Sequence, residues 1–477
     1  MPDHNTDADS VRSLNLKNSE PRAAGWTTSS LADTLAEFTT KLNFDMLPEE
    51  VIHQGTRIVR DTLGTMLAGA TIPEIQNLVQ FSARLSGPGN SSLMGCSHSC
   101  NPLFAALVNG TGAVTLELDE GNQFAINHPS VHIFPVALAL AEDHKLSGKE
   151  LLTAFIAGYE VAVRLGRATR LKWPVHPFGT HATVGAAACA SKLLGLDVTR
   201  TAGALDMAAG MCIASSQTAA NSGAAVRNLV TGLSNHNGLL AAMLIGAGFT
   251  GEPGAMNVVF GSILGESFDE QGVGTDLGSE FYITRNYFKI HACSRWNHAP
   301  IEAMANLMEK AAFDVQDVDQ ITVWTYDPAT RLSWNAPVNG YAAKHSIPYN
   351  VAVRLVRGSN DLTAYSDEVV SDPPVQATAQ KVKVLEDPKL TAMLPDVRPA
   401  RVEVKLLSGE IFTETVERPM GGFDRPLSDQ ELIEKFNQLA GMILRPSAIS
   451  SLEHMLQHLP DLEDVGMLSP LLRGARP

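Results

Sequence analysis

The sequence predicts a mostly α-helical protein in which a large all-helical domain carries an inserted, smaller α+β lid domain. Three observations predict this. Apolar residues recur at helical spacing up to about Phe268, alternating strand patterns appear only after residue 320, and helical spacing returns from Ser428 onward. In 477 residues, 44% are hydrophobic and 18% charged, enough for a sizeable core. The expected organisation is a disordered tail over 1–28, a helical domain over 29–270 and 425–477, and the α+β lid over 271–424.

The tail is polar, with Asp3, Asp7 and Asp9 and no apolar run, and it lacks the Arg-rich, acid-poor bias of a transit peptide. Two helices are expected between Thr28 and about Gly69. In the second, Pro48-Glu49-Glu50 suits a first turn, and Ile52, Ile58, Val59, Leu63, Met66 and Leu67 form the apolar stripe. Ser147-Gly-Lys-Glu150 is a capping-box pattern ahead of Leu151, Leu152, Phe155, Ile156 and Tyr159. The stretch from His181 to Gly195 is small and apolar nearly all round, as in a helix surrounded by protein. Met207, Met211 and Met243 fit core spacing. After the acidic, Gly-rich stretch 269–276, Ile321–Tyr326 alternates as a half-buried strand does. Arg401–Leu407 and Ile411–Glu417 read as a hairpin turning at Ser408-Gly409. His345–Leu355 and Ser428–Leu439 read as helices, the last packing back on the first domain.

A net charge of −15 argues against nucleic acid and anionic membrane surfaces, so an anionic substrate needs a local basic cluster. The longest apolar run, Gly238–Phe249, is too short to span a bilayer, and five cysteines fit a reducing compartment. The expected location is cytoplasmic.

The stretch Leu116–His132 draws the chemistry. Glu117, Asp119 and Glu120 sit between two apolar segments, and buried charge is costly unless paired or used. In an extended segment Glu117 and Asp119 share a parity. Gly121-Asn122 then turns the chain, and Pro129 places His128 at a helix N-terminus. A carboxylate and an imidazole there form an acid/base pair, against an even-handed alternative of a turn and a capping His. The densest basic group is Lys289, His291, Arg295 and His298, with aromatic neighbours that favour burial and a carboxylate clamp; Lys344, His345 and Tyr349 are weaker candidates. His181 reads as a helix-start residue. Cys96–Cys100 reads as an exposed loop. Zinc ligands at His128/His132, Cys96/His98/Cys100 or His291/Cys293 lack a supporting acid in register, so no metal is expected. Walker A, dinucleotide-binding and Gly-x-Ser-x-Gly motifs are absent.

Read together, Asn109–Glu120, His128-Pro-Ser, the Pro135 run, Val175-His176-Pro, Ala190–Leu196, Asn237-Gly-Leu-Leu and Phe288–Arg295 resemble the MmgE/PrpD family over roughly residues 30–460. The resemblance implies a homodimer and a lyase or isomerase on a small di- or tricarboxylate, with no metal or organic cofactor. Members include 2-methylcitrate dehydratase, cis-aconitate decarboxylase and iminodisuccinate epimerase. It implies catalytic roles for Asp119, His128 and His176, with substrate binding by Glu117, Arg227, Lys289, His291 and Arg295. Arg227 stands where decarboxylase-type members carry Lys, and Gly121-Asn122 replaces a usual Thr in a loop one residue longer. Arg clamps a carboxylate but is no acid near neutrality. The expected reaction is therefore dehydration of a 2-methylcitrate-like or longer alkylcitrate. Decarboxylation of cis-aconitate, an epimerase and a catalytically silent scaffold are the alternatives. Loss of Arg227 is expected to act mainly through KM.

Overall fold

The computed structural model describes residues 30–473; the expected tail over 1–28 lies outside the described residues. The longer helices of the first half are α1 (Ser30–Lys41), α2 (Glu49–Gly69), α3 (Pro73–Leu85), α4 (Pro102–Thr115), α5 (Pro129–His144), α6 (Gly148–Ala168), α7 (His181–Leu193), α8 (Val198–Gly210) and α9 (Val226–Gly246). The expected start signals are in place. Pro48 precedes the first turn of α2, and Ser147 caps α6 with Glu150 reaching back, a full capping box. Buried side chains of α2, α5 and α6 make the main core, which α7 joins through Ala182 and Cys189.

These helices approach through small residues. A Cβ on Gly158 of α6 would meet the Gly185 carbonyl oxygen of α7 at 2.4 Å, and one on Gly185 would meet the Gly158 carbonyl oxygen at 2.5 Å. Likewise a Cβ on Gly69 of α2 would fall 2.1 Å from the Gly112 carbonyl oxygen of α4. The Ala/Gly-rich composition is thus what lets so many helices share one centre.

Beyond α9, a four-stranded sheet forms from β1 (Val318–Thr325), β2 (Val382–Glu386), β3 (Ala400–Leu406) and β4 (Ile411–Val416). Its order is β4-β3-β1-β2; β1 pairs β2 in parallel and the other pairs are antiparallel. The β3–β4 hairpin turns at Ser408-Gly409, where Gly409 adopts φ +91°. Alternate residues (Ile321, Val323, Val402, Val404) pack on Met304 and Leu307 of α10 (His298–Lys310) and on Val351 and Leu355 of α11 (Ile347–Arg357). The chain then returns: α12 (Asp429–Ala440), capped by the Ser428/Glu431 box, and α13 (Pro446–Gln457) bring Leu432, Phe436, Leu452 and Leu456 into the main core.

Two details differ from expectation. The first half contains short ribbons, Ser91–Ser92 with Ser99–Cys100 and Thr169–Leu171 with Gly265–Phe268. Elements of two to four residues carry too little alternation to register in a sequence. Cys100, expected in an exposed loop, is buried in the first ribbon, and its thiol is pushed up to about 12 by desolvation.

Candidate active site

The C-terminal end of α4 delivers Leu116 and Leu118 into an apolar cluster with Ala292, Ile301 and Tyr349, which fixes the residue between them. Glu117 adopts φ +56°, a left-handed conformation that a non-glycine residue holds only where its surroundings demand it. The demand is electrostatic. Glu117 ion-pairs with Arg227 of α9, and its second oxygen accepts from Lys289 Nζ at 2.9 Å. Lys289 also donates to Asp119 Oδ1 at 3.2 Å, and Asp119 Oδ2 lies 2.5 Å from His128 Nδ1. Arg227, Glu117, Lys289, Asp119 and His128 thus form one chain of alternating charge. Its two buried anions face two buried cations, so the cluster is internally neutral before His128 is counted.

Glu120 points the other way. Its oxygens accept from Tyr159 Oη at 2.6 Å and from the Ser130 amide at 3.4 Å, and desolvation raises its pKa to about 8. Burial acts on Glu117 and Asp119 in the same sense. For Glu117 it is overcome by Arg227 and Lys289, for Asp119 by Lys289 and His128, and both stay ionised, below their usual range. Lys289 is held charged by Asp119 and Glu117 against its own desolvation.

His128 caps α5 with Pro129 at the first position. Burial lowers its pKa while Asp119 opposes the shift, so the resting ring is neutral, with its proton on Nδ1 toward the ionised Asp119. Nε2 is then an acceptor, 3.3 Å from the Tyr287 hydroxyl. That approach needs Gly121, because a Cβ there would lie 2.4 Å from Tyr287 Oη. The Gly121–Asn122 ribbon with Asn286–Tyr287 brings the two together.

His176 has the opposite tautomer. Its Nδ1 accepts from the Phe178 amide at 3.1 Å, which leaves the proton on Nε2. Burial and then Arg227 depress its pKa far below the usual value, so it too is neutral. Phe178 organises the group: His128, His132 and His176 contact its ring edge-on at centroid distances of 5.1, 5.0 and 4.6 Å, and the Arg227 guanidinium sits 4.3 Å above it. His132 donates through Nδ1 to the His128 carbonyl and stays neutral, its pKa lowered to about 4 by burial.

His128, His176, Phe178 and Arg227 line a cavity of about 70 Å³ together with Glu117, Gln217, Tyr287, Arg295, His345 and Arg398. Of the sequence-selected residues, Asp119, His128, His176, Glu117, Arg227, Lys289 and Arg295 converge here. Lys289 lies beneath the lining, saturated by two carboxylates, and so is not a free clamp. His291 is not in the lining. The chain bends after the short ribbon, and the ring packs against His298 at 5.1 Å. Lys344 donates to the carbonyls of Leu116 and Ala292, and Tyr349 to that of Ala364, so both are internal braces. His345, ranked lower in the sequence, does reach the cavity, 3.8 Å from Glu117.

Phe178, Gln217 and Arg398 escaped the sequence reading, and Tyr287 entered it only as an aromatic neighbour of the basic group. Tyr287 alone had a signal, sharing the parity of Lys289. Arg295 donates to the Met420 and Pro419 carbonyls and Arg398 to that of Gln123. Neither ion-pairs with a carboxylate among the described residues. Among those residues no His/Cys/Asp/Glu group is arranged to hold a metal ion, and no helix is long and apolar enough to cross a membrane.

Two family models match the chain, the MmgE/PrpD N-terminal domain over residues 33–263 and the MmgE/PrpD C-terminal domain over residues 291–459. The cis-aconitate decarboxylase of Mus musculus is 27% identical, across 93% of this chain and 94% of its own. That of Aspergillus terreus is 25% identical, across 93% and 96%. The 2-methylcitrate dehydratase of Escherichia coli is 24% identical, across 83% and 87%.

Proposed function

From the premise that the chain belongs to the MmgE/PrpD family, we propose that it is a cofactor-independent lyase that removes water from a small polycarboxylate of the 2-methylcitrate or alkylcitrate type. The observation that carries this reading is a pair of imidazoles on one cavity whose Nδ1 atoms have opposite partners, a carboxylate for His128 and a backbone amide for His176. Elimination of water needs a base for the hydrogen next to a carboxylate and an acid for the departing hydroxyl. His128 Nε2 takes the proton, and Asp119 holds the ring and stabilises the imidazolium that forms. His176 Nε2–H protonates the hydroxyl as the carbon–carbon double bond forms and water leaves. Arg295 and Arg398, without carboxylate partners of their own, hold the substrate carboxylates and meet the developing enolate-like charge. Arg227 and Lys289 act one step behind, by keeping Glu117 and Asp119 ionised.

Decarboxylation of cis-aconitate is the second reading, favoured by the nearly full-length coverage of relatives so named. It requires one proton delivery and the loss of a carboxylate. Assays with citrate, 2-methylcitrate, cis-aconitate and iminodisuccinate separate the readings. Water elimination from 2-methylcitrate supports the first. Carbon dioxide release from cis-aconitate without hydratase activity replaces it with the second, and racemisation of the amino-diacid points to an epimerase. Failure of all four to raise the melting temperature would leave a silent scaffold.

We further take the sheet-bearing segment as a lid over the helical body, supported by its separate core and by the return of α12 and α13. The working form is taken as a cytoplasmic homodimer; five free cysteines fit the compartment, and exposed Phe81, Leu85 and Phe249 fit a covered surface. Light scattering giving the mass of a single active chain would refute the dimer.

A further inference from the structure

Gln217 has no part in the chemistry assigned above, yet it lines both the inner cavity and a second chamber of about 340 Å³ beside it. Its backbone ties it to the segment that carries His176. The His176 amide donates to the Ser215 carbonyl and the Gln217 amide to the Pro174 carbonyl, each at 2.8 Å, on either side of an antiparallel bridge between Val175 and Ser216. Side chains alternate between the faces of such a pair, so His176 and Gln217, set diagonally across the bridge, share a face. That face is turned to the inner cavity, which both residues line. Diagonal neighbours in an antiparallel pair lie within reach of a long side chain.

The Gln217 carboxamide is half-buried and, among the described residues, makes no hydrogen bond within the protein. Arg227, Arg295 and Arg398 make the cavity wall rich in donors. Acceptors are scarcer. Glu117 is bound by Arg227 and Lys289, the His345 ring is turned to Glu117 at 3.8 Å, and His128 Nε2 is the base. A tertiary alcohol entering this site brings a donor as well as an acceptor, and a buried O–H left without an acceptor is costly.

We propose that Gln217 is a specificity-determining residue whose Oε1 accepts the hydrogen of the substrate hydroxyl, while the hydroxyl oxygen accepts from His176 Nε2–H. The site then distinguishes a hydroxylated polycarboxylate from one that lacks the group. The hydroxyl keeps its own hydrogen, takes the His176 proton as the carbon–oxygen pair stays with oxygen, and leaves as water. The electrons of the carbon–hydrogen bond that His128 breaks become the double bond. This rests on the water-eliminating reading above and adds to it the group that recognises the leaving hydroxyl.

The test compares the wild type with Gln217→Met, which keeps the length of the side chain and removes its polar atoms. Two ligands with the same carboxylates are used, 2-methylcitrate as substrate and its unsaturated dehydration product as competitive inhibitor. For 2-methylcitrate kcat/KM is expected to fall by at least about tenfold, and the inhibition constant of the product to change by less than about twofold. An equal loss on both ligands would mean that the carboxamide holds a carboxylate, and an unchanged kcat/KM that it touches neither. Either result overturns the inference and leaves the lyase reading standing. Gln217→Leu is measured alongside, with thermal melts of both variants. Unfolding of both would make Gln217 a brace of the fold and overturn the inference as well. Absence of water elimination from 2-methylcitrate by the wild type overturns both the inference and the reading it rests on.

Discussion

At the residue scale, the alternating chain from Arg227 to His128 assigns different jobs to groups that look alike in the sequence. If His128 is the base and His176 the acid, His128→Ala and His176→Ala should each lower kcat by roughly 10²–10⁴-fold, the usual size of such a contribution. Each variant should keep its fold; steady-state kinetics on the active substrate checks this, and near-wild-type turnover in His128→Ala would remove the assignment. Arg227 has a structural role beside the KM effect expected from the sequence. Its guanidinium neutralises buried Glu117 and stacks on Phe178. Arg227→Ala should therefore destabilise the fold by about 3–5 kcal/mol, as removal of one partner from a buried pair does, and chemical denaturation measures it.

Glu120 yields a prediction with a sign. Its folded pKa, about 8, lies above the ordinary carboxyl value of 4.5. Between these values the folded state binds a proton that the unfolded state has released, so this group's contribution is full below about pH 4.5 and is lost as pH rises toward 8. Glu160, raised to about 7 by burial against the pull of Arg164, adds the same sign over a narrower window. Glu120→Gln keeps an acceptor for Tyr159 without titrating, and should flatten the fall in melting temperature between pH 5 and pH 8. An unchanged slope would show that the carboxyl does not carry that proton.

At the element scale, what was legible in the sequence was what is local. The Ser147 and Ser428 capping boxes, the Ser408-Gly409 hairpin and Pro129 after His128 each state their geometry within a few residues. The pairing of Glu117 with Asp119 was read from an extended parity; Lys289 does bind both, but Glu117 reaches it from a left-handed turn. Phe178, Tyr287 and Arg398 were not legible, because their importance comes from what folds against them. His291 was grouped with Lys289 by the resemblance and by the density of basic residues, and neither shows that the chain bends after the ribbon ends at Tyr287. Gly158 and Gly185 are a related case: in sequence they weaken α6 and α7, and in space they let the two backbones touch. Gly185→Ala should cost about 1–3 kcal/mol through overpacking, read as a lowered melting temperature. No loss would mean that the helices separate freely.

At the scale of the whole molecule, the end of the chain supports the site near its middle. Lys435 of α12 donates to Asp61 at 2.6 Å and to the Leu118 carbonyl, between the two paired acids, at 2.7 Å. Leu432, Phe436 and Leu439 cover one side of α2, where a Cβ on Gly64 would fall 3.2 Å from the Phe436 ring. A chain ending at residue 424 should therefore expose that face and fail to give a soluble, cooperatively melting protein, as expression and circular dichroism would show.

The ribbon joining Gly121–Asn122 to Asn286–Tyr287 has a consequence for how such a protein drifts over generations. It ties the acidic loop to the basic segment in the same place where Lys289 bridges both acids. A replacement on either side then strands a partner on the other, so these positions can change only in concert. A lineage acquiring a new diet would hand on Glu117, Asp119 and Lys289 as one set.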